Sequence, residues 1–386
     1  MTHNWMRALV AGLAVSLAGV SQTAYANATP QNEDAFGCPP TIVALPMPSG
    51  MDHGDILGAL GHRAVGFVGD ASGHQHVAVW TRFDERWHVR DLGDFGITAP
   101  GEPLSATGVD GRGEVAVGIN SDVMAGWLVS GGRVHQLTDF AGATNAYVRA
   151  INASGEMVGE ALDADGNDFA AVWAHWWSRP QRLAPVAGYD GSYAQGVSDL
   201  GQVTGGSFSF GPAPTVATVW SARGRAAALP SGQPAEGFAI NNSGQVAGRT
   251  LLDPRTALVW PRTGPPHSPN LFAGDTFARG LAITARGEVA GFEGSDPAGA
   301  IPIRHVLLSF GMQPTRSLLP LSLSWADNAL THVIADNDTV YGSSALTHTS
   351  FPRPTIWTCT SQQSFVPPNN GGQPTGYTSP RVVLSR

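Results

Sequence analysis

The chain has 386 residues, 48 of them Gly, and only 13% are charged. Its 22 basic residues, all Arg, face 30 acidic ones, for a formal net charge of −8, and no basic run of five exists. This argues against a nucleic-acid partner and suits one large or two ordinary domains of short strands joined by Gly turns.

The first 26 residues read as a signal peptide: Arg7 is the positive end, Ala8 to Val20 the apolar run, and Ala24-Tyr25-Ala26 a small-x-small cleavage site. Cleavage after Ala26 would start the mature chain at Asn27 and place it in the periplasm or outside the cell; a retained anchor is the alternative. The apolar run is short for a membrane span, and no later segment could cross a bilayer as a helix, so no transmembrane anchor is expected after cleavage. Residues 27–40 form a lead that carries Cys38. The only other cysteine is Cys359, and exported compartments preserve disulfides, so a Cys38–Cys359 bridge is expected.

Residues 41–366 repeat one pattern: an apolar strand, a polar turn ending in Gly, and a second strand. It runs from Leu57 to Gly66, Val109 to Gly118, Ile151 to Gly159, Val197 to Gly205, Ile240 to Gly248, Ile283 to Gly291 and Ile334 to Gly342. A third strand follows each, ending at Trp80, Trp127, Trp173, Trp220, Trp260, Leu308 and Trp357, and a weaker fourth often comes next. These end positions recur every 40 to 49 residues, the period of a four-stranded propeller blade. Third strands such as Ala170-Ala171-Val172-Trp173 are apolar at successive positions, as strands buried on both faces are. Gly108, Ala150, Gly196, Ala239 and Ala282 keep the first strands small, as crowding at an axis demands. The expected fold is all-β, a seven-bladed β-propeller, closed by the N-terminal strand Thr41-Ile42-Val43-Ala44-Leu45 entering the last blade beside Cys359. Tandem β-sandwiches are the rival fold. Residues 367–386, rich in Pro, Gly, Asn and Thr, are expected to form a flexible tail.

His76-Val77-Ala78-Val79-Trp80, Asp91-Leu92-Gly93-Asp94-Phe95-Gly96 and Ala150-Ile151-Asn152-Ala153-Ser154-Gly155-Glu156-Met157-Val158-Gly159 carry a family resemblance. Over about residues 56 to 360 the chain resembles the bacterial extracellular HAF repeat proteins, whose pattern joins a His-Ala-Phe-Leu-Trp strand to Asp-Leu-Gly-x-Leu-Gly and Ala-x-Gly-Ile-Asn-x-x-Gly-x-Val-Val-Gly. The resemblance implies an exported propeller-like protein with no established activity or cofactor. The His is missing from most repeats here.

Turns between first and second strands are nearly uniform, whereas loops at the opposite rim vary, and variable loops on a rigid scaffold usually carry function. That rim would hold Asp52, Asp55, Asp70, Asp122, Asp190, Glu236, Asp253, Asp275, Glu293, Asp296 and Asp327. Aromatic faces beside acids suit sugars or peptides, so Tyr147, Tyr189, Asp190, Tyr193, Trp325 and Asp327 are the candidate ligand site. Solvated acids with blade-capping aromatics are the competing reading. Asp163, Asp165, Asn167 and Asp168 resemble a Ca²⁺ loop without its Gly and final Glu; a plain polar turn competes. His74 and His76 could share a strand face, though two ligands are few for zinc. Trp176 and Trp177 read as a sticky patch or as edge packing. No nucleophile elbow, phosphate-binding loop or dinucleotide fingerprint occurs, so no catalytic residue and no cofactor beyond a structural Ca²⁺ is expected. The expected function is an exported, non-enzymatic, monomeric binding or scaffold propeller with a glycan, peptide or protein ligand. The alternative is a polysaccharide hydrolase or lyase using rim carboxylates.

Overall fold

The computed structural model describes residues 40–96, 104–120, 124–211, 213–253, 255–271, 275–294, 303–308, 316–317, 329–335, 339–344, 352–359 and 381–384. Among these the strands form seven separate sheets, with no helix. In chain order, sheet I is His53–Leu60, Arg63–Gly69, Gln75–Phe83 and Arg86–Gly93. Sheet II is Leu104–Val109, Val115–Asn120, Met124–Ser130 and Arg133–Gln136. Sheet III is Ala146–Ile151, Met157–Leu162, Asp168–Trp173 and Gln181–Leu183; sheet IV is Gly191–Val197, Val203–Phe208, Val216–Trp220 and Ala226–Ala228. Sheet V is Ala235–Ile240, Val246–Thr250 and Ala257–Trp260; sheet VI is Phe277–Ile283, Val289–Gly294, Ile303–Leu308 and Arg316–Ser317. Sheet VII joins Ala329–Ile334, Val340–Ser344 and Arg353–Cys359 to Pro40–Ala44, with Arg381–Leu384 at its edge.

Each first strand contacts the first strand of the next sheet, and that of sheet VII contacts that of sheet I. Antiparallel sheets arranged radially on their first strands make this an all-β β-propeller. The crowding read from small residues is real: a Cβ on Gly58 would come within 2.6 Å of the Gly108 Cα, and one on Gly196 within 2.6 Å of the Phe238 carbonyl oxygen. The third strands fill the space between sheets, with Asp168–Trp173 buried at five successive positions and Ala257–Trp260 at all four.

The recurrent Trp has two tasks. Trp80, Trp173, Trp220 and Trp260 are fully buried or nearly so. Each indole Nε1 also donates to a carbonyl in the link arriving from the previous sheet: Pro46 (2.8 Å), Thr138 (2.8 Å), Ala184 (2.7 Å) and Pro230 (2.6 Å). Pro46 follows Pro40–Ala44, so the N-terminal strand stands to sheet I as each fourth strand stands to the sheet after it. That strand pairs antiparallel with Arg353–Cys359, Pro40 opposite Cys359 and Ala44 opposite Thr355, as the repeat pattern leads one to expect.

The C-terminal segment differs from the sequence reading. Residues 381–384, expected within a flexible tail, form a strand parallel to Pro40–Ala44. Val382-Val383-Leu384 supplies the β-branched and apolar residues that a composition average over the Pro- and Gly-rich stretch conceals. Residues 1–39, with the expected signal peptide and Cys38, and residues 360–380 lie outside the described residues.

Candidate functional site

Each first strand contains one β-bulge at the same place. The register skips Leu57, Thr107, Arg149, Gln195, Phe238, Leu281 and His332 in sheets I to VII. A bulge leaves one residue unpaired and re-aims its side chain. It also explains the Gly that ends most hairpin motifs. A Cβ on Gly66, Gly159, Gly205, Gly248 or Gly291 would lie 1.9 to 2.0 Å from a first-strand carbonyl oxygen, those of Asp55, Tyr147, Tyr193, Glu236 and Arg279. No side chain fits there, so the backbone of the bulged hairpin dictates Gly.

Beside these bulges, polar side chains of the first and second strands meet, some within a sheet and some across the boundary to the next. In sheet III, Arg149 Nε donates to Glu160 Oε1 at 2.7 Å, and the guanidinium lies 4.8 Å from the Tyr147 ring centre. From sheet IV, Tyr193 Oη donates to Glu236 Oε2 of sheet V at 3.1 Å. The other oxygen of Glu236 accepts from Arg249 Nε at 2.8 Å. Arg279 of sheet VI lies over the Phe238 ring of sheet V, 4.0 Å from its centre. His332 of sheet VII reaches Asp55 Oδ2 of sheet I at 2.8 Å. The side chains of Arg149, Glu160, Arg249 and Glu236 keep 11% to 15% of their surface exposed, so this charged belt is enclosed but still meets solvent.

Proton affinities follow from the enclosure. Burial pushes the Tyr193 hydroxyl far above the usual tyrosine pKa, and the neighbouring Glu236 charge adds to it. Burial likewise raises Tyr147. Burial works against the charge on Arg149, but the Glu160 carboxylate outweighs it and holds the pKa above the ordinary arginine value. For Arg279 burial wins, seconded by repulsion from Arg249, and the pKa falls to about 10. Burial opposes a charge on His332; the Asp55 carboxylate overcomes this and raises the pKa, against a smaller push from Arg279.

The sequence-derived candidates divide. Tyr147 and Tyr193 lie in the belt. Asp190 does not: exposed, it accepts from Ser209 Oγ at 2.8 Å and Phe210 N at 2.9 Å, and so shapes its own loop. Tyr189 is half-buried, its backbone N–H bonded to Val186. Trp325 and Asp327 lie outside the described residues, as do Asp122 and Asp296. Three acids expected on an open rim, Asp55, Glu236 and Glu293, are instead buried, because they stand within first or second strands and not in the loops beyond them.

Asp163 Oδ1 accepts the backbone N–H groups of Asp165 and Asn167 at 3.0 and 2.9 Å, and Asn167 Nδ2 reaches both carboxylate oxygens. Asp168 opens the third strand of sheet III. Burial raises the Asp163 pKa, but the turn's N–H donors and Arg182 outweigh it and the net shift is downward. The carboxylate thus closes a polar turn of the kind seen at Asp70 and Asp139. His76 Nδ1 meets Asp91 at 2.8 Å and His74 Nδ1 meets Ser72 Oγ at 2.7 Å. Among the described residues no three His, Cys, Asp or Glu side chains gather as a metal-holding group. Trp176 is half-buried and stacks on His135, while Trp177, 66% exposed, stacks on His175.

Sequence reasoning singled out neither Arg149, Glu160, Arg249 and Arg279 nor His332. For Arg149 and His332 a signal was present: each stands at the bulge position, where other repeats carry Leu, Thr, Gln or Phe.

No family model matches the chain, and no curated protein does. Among solved structures, it is similar to the β-propeller domain of the Trilobed protease from Pyrococcus furiosus, described as having an open velcro topology. Identity is 7%, with 80% of this chain and 95% of that one covered, and the TM-score is 0.51. A puromycin hydrolase mutant in complex with PGG shares 12% identity over 78% of this chain at TM-score 0.49; the chain spans 53% of that protein's length. A protein assigned as TolB from Agrobacterium tumefaciens shares 13% identity over 60% of this chain and 83% of its own, at TM-score 0.45. At these identities the likeness concerns the fold, and the chain is a β-propeller by its own topology and by the first of these likenesses.

Proposed function

We propose that this protein is an exported, non-enzymatic binding propeller of seven blades closed into one ring, with its ligand site at the axial belt. The seven sheets and the cyclic contacts of their first strands support the ring. So does Pro40–Ala44, which takes the place of a fourth strand beside Arg353–Cys359. A Cys38–Cys359 bridge and a place among the HAF repeat proteins belong to the same reading. They rest on the exported context, the pairing of Pro40 with Cys359 and the hairpin motif. Non-reducing peptide mapping that found two free thiols would remove the bridge.

The observation that carries the binding role is the belt itself. Repeats that share one backbone place Arg149, Glu160, Tyr193, Glu236, Arg249, Arg279 and His332 within a single enclosed, solvent-touching layer. Buried charge does little for stability, so a scaffold alone has no need of it. Binding is favoured over the hydrolase or lyase alternative because Glu160 and Glu236 are each held by an Arg. A glycosidase needs one carboxyl free to deliver a proton.

The test is a glycan and peptide array with the mature chain, repeated with Tyr193→Phe and Arg149→Met. Ligands that fade with both variants support the reading. Ligands indifferent to both, or polysaccharide cleavage by the wild type, overturn it.

A further inference from the structure

The charges in the belt do not pair off. Arg149 is matched by Glu160 at 2.7 Å, Arg249 by Glu236 at 2.8 Å, and His332 by Asp55 at 2.8 Å. Arg279 is left over. Its Nε is buried without a hydrogen-bond partner, and its described contact is the face of Phe238 at 4.0 Å. Glu236, the acid that acts electrostatically on it, is already engaged by both Arg249 and Tyr193. An enclosed guanidinium with an idle donor is costly unless something supplies the missing acceptor. That it stands in a chain with eight more formal negative than positive charges makes the local excess of cation more pointed.

We propose that Arg279 receives the carboxylate of a small-molecule ligand at the axial belt, with Phe238 beneath the ion pair. The guanidinium presents its donors as a planar fork that a carboxylate meets with two parallel hydrogen bonds. Phe238 packs against the guanidinium from one side, its ring centre 4.0 Å from Cζ. Arg249 and Arg149 add positive potential without competing for the ligand, since each is tied to its own Glu. Arg255, which also acts electrostatically on Arg279, extends the field. A low-dielectric wall strengthens such a field. The ligand therefore carries an acid group, as a uronic acid or a short peptide with a free C-terminus does. This inference rests on the axial binding site proposed above and specifies its chemistry.

Titration calorimetry tests it with five probes: D-glucuronate, D-glucose, N-acetyl-dialanine, its C-terminal amide, and inorganic phosphate. Binding of glucuronate or of the free-acid dipeptide, but not of its neutral counterpart, is the expected result, and the two acids distinguish the source of the carboxylate. Arg279→Met should weaken that binding by about 10- to 100-fold, the value of a charge-assisted pair, while Arg279→Lys keeps part of it. The exposed Arg223→Met serves as control and should change nothing. Thermal unfolding of Arg279→Met without ligand should be no lower than wild type, because an uncompensated charge has been removed. A clearly lower melting temperature would mark Arg279 as structural and overturn the proposal. Binding of phosphate alone, or of no probe, also overturns it. If glucose or the amide binds and the affinity falls in Tyr193→Phe but not in Arg279→Met, the axial site stands and the carboxylate inference fails.

Discussion

Two places in the same hairpins, the turn and the bulge, repeat their backbones equally well and treat their side chains in opposite ways. At the turn, the residues Asp110, Asn152, Ser198, Asn241 and Thr284 each accept a backbone N–H from four residues on through a side-chain oxygen. The Gly that follows each has a positive φ, from 71° to 92°. These turns also hold one another: Asn152 Nδ2 donates to the Ser198 carbonyl at 3.0 Å, and Asn241 Nδ2 to that of Thr284 at 2.8 Å. The first side chain of the turn serves backbone groups, so few residue types can stand there. At the bulge the backbone requirement falls on the opposing Gly, and the bulged residue is free to be Leu, Thr, Arg, Gln, Phe or His. A repeat thus keeps its scaffold where side chains serve the backbone and varies where they do not.

The contrast can be pressed hardest at a scaffold position. Trp220→Ala should lose about 3–5 kcal/mol of unfolding free energy in urea titration, because it empties a fully buried site and orphans the Ala184 carbonyl. Next comes the Gly opposite a bulge. Gly159→Ala drives a Cβ to 1.9 Å from the Tyr147 carbonyl oxygen, and about 3 kcal/mol is expected. Gly166→Ala, in an open loop at φ 80°, should cost only about 1 kcal/mol in the same titration. If the two alanines cost the same, the bulge does not dictate the glycine.

The bulge tier should behave otherwise. Arg149→Met alone leaves Glu160 enclosed without its partner, for a loss of about 2 kcal/mol, whereas Arg149→Met with Glu160→Gln should return to within about 1 kcal/mol of wild type. A double variant as unstable as the single would make the pair scaffold after all. Turn residues contribute less each: Asn152→Ala should cost about 1 kcal/mol, measured in the same way.

The smallest effect is a pH dependence. His332 has a raised pKa in the folded protein, so between its unfolded value, about 6.5, and that higher value the folded state binds more protons than the unfolded one. Stability from the Asp55 contact is therefore complete below about pH 6.5 and is lost as pH rises through the folded pKa. His332→Asn should flatten that slope of melting temperature against pH. An unchanged slope would place its origin elsewhere.

Much of the architecture was legible from residue spacing. The hairpin motif, the indole toward the end of most third strands and the apolar run before it are local demands of backbone and burial, and they recur because the same demand recurs. The N-terminal strand could be assigned to the last repeat because that repeat lacked a fourth strand and the chain began with a spare one. The C-terminal strand escaped because four residues within a long polar segment carry no periodic signal. The belt escaped for a different reason. Arg149, Glu236, Arg279 and His332 are separated by 43 to 87 residues, and nothing in the linear order says that they share a layer.

Residue order by itself therefore determined the repeating unit, since hydrogen-bonded turns, bulge glycines and filled cores act over a few neighbours. The tertiary structure alone decided which side chains of different units face each other. Cyclic packing sets the first strands of successive repeats side by side, so that Tyr193 meets Glu236, Arg279 lies over Phe238 and His332 reaches Asp55, contacts that no single repeat contains.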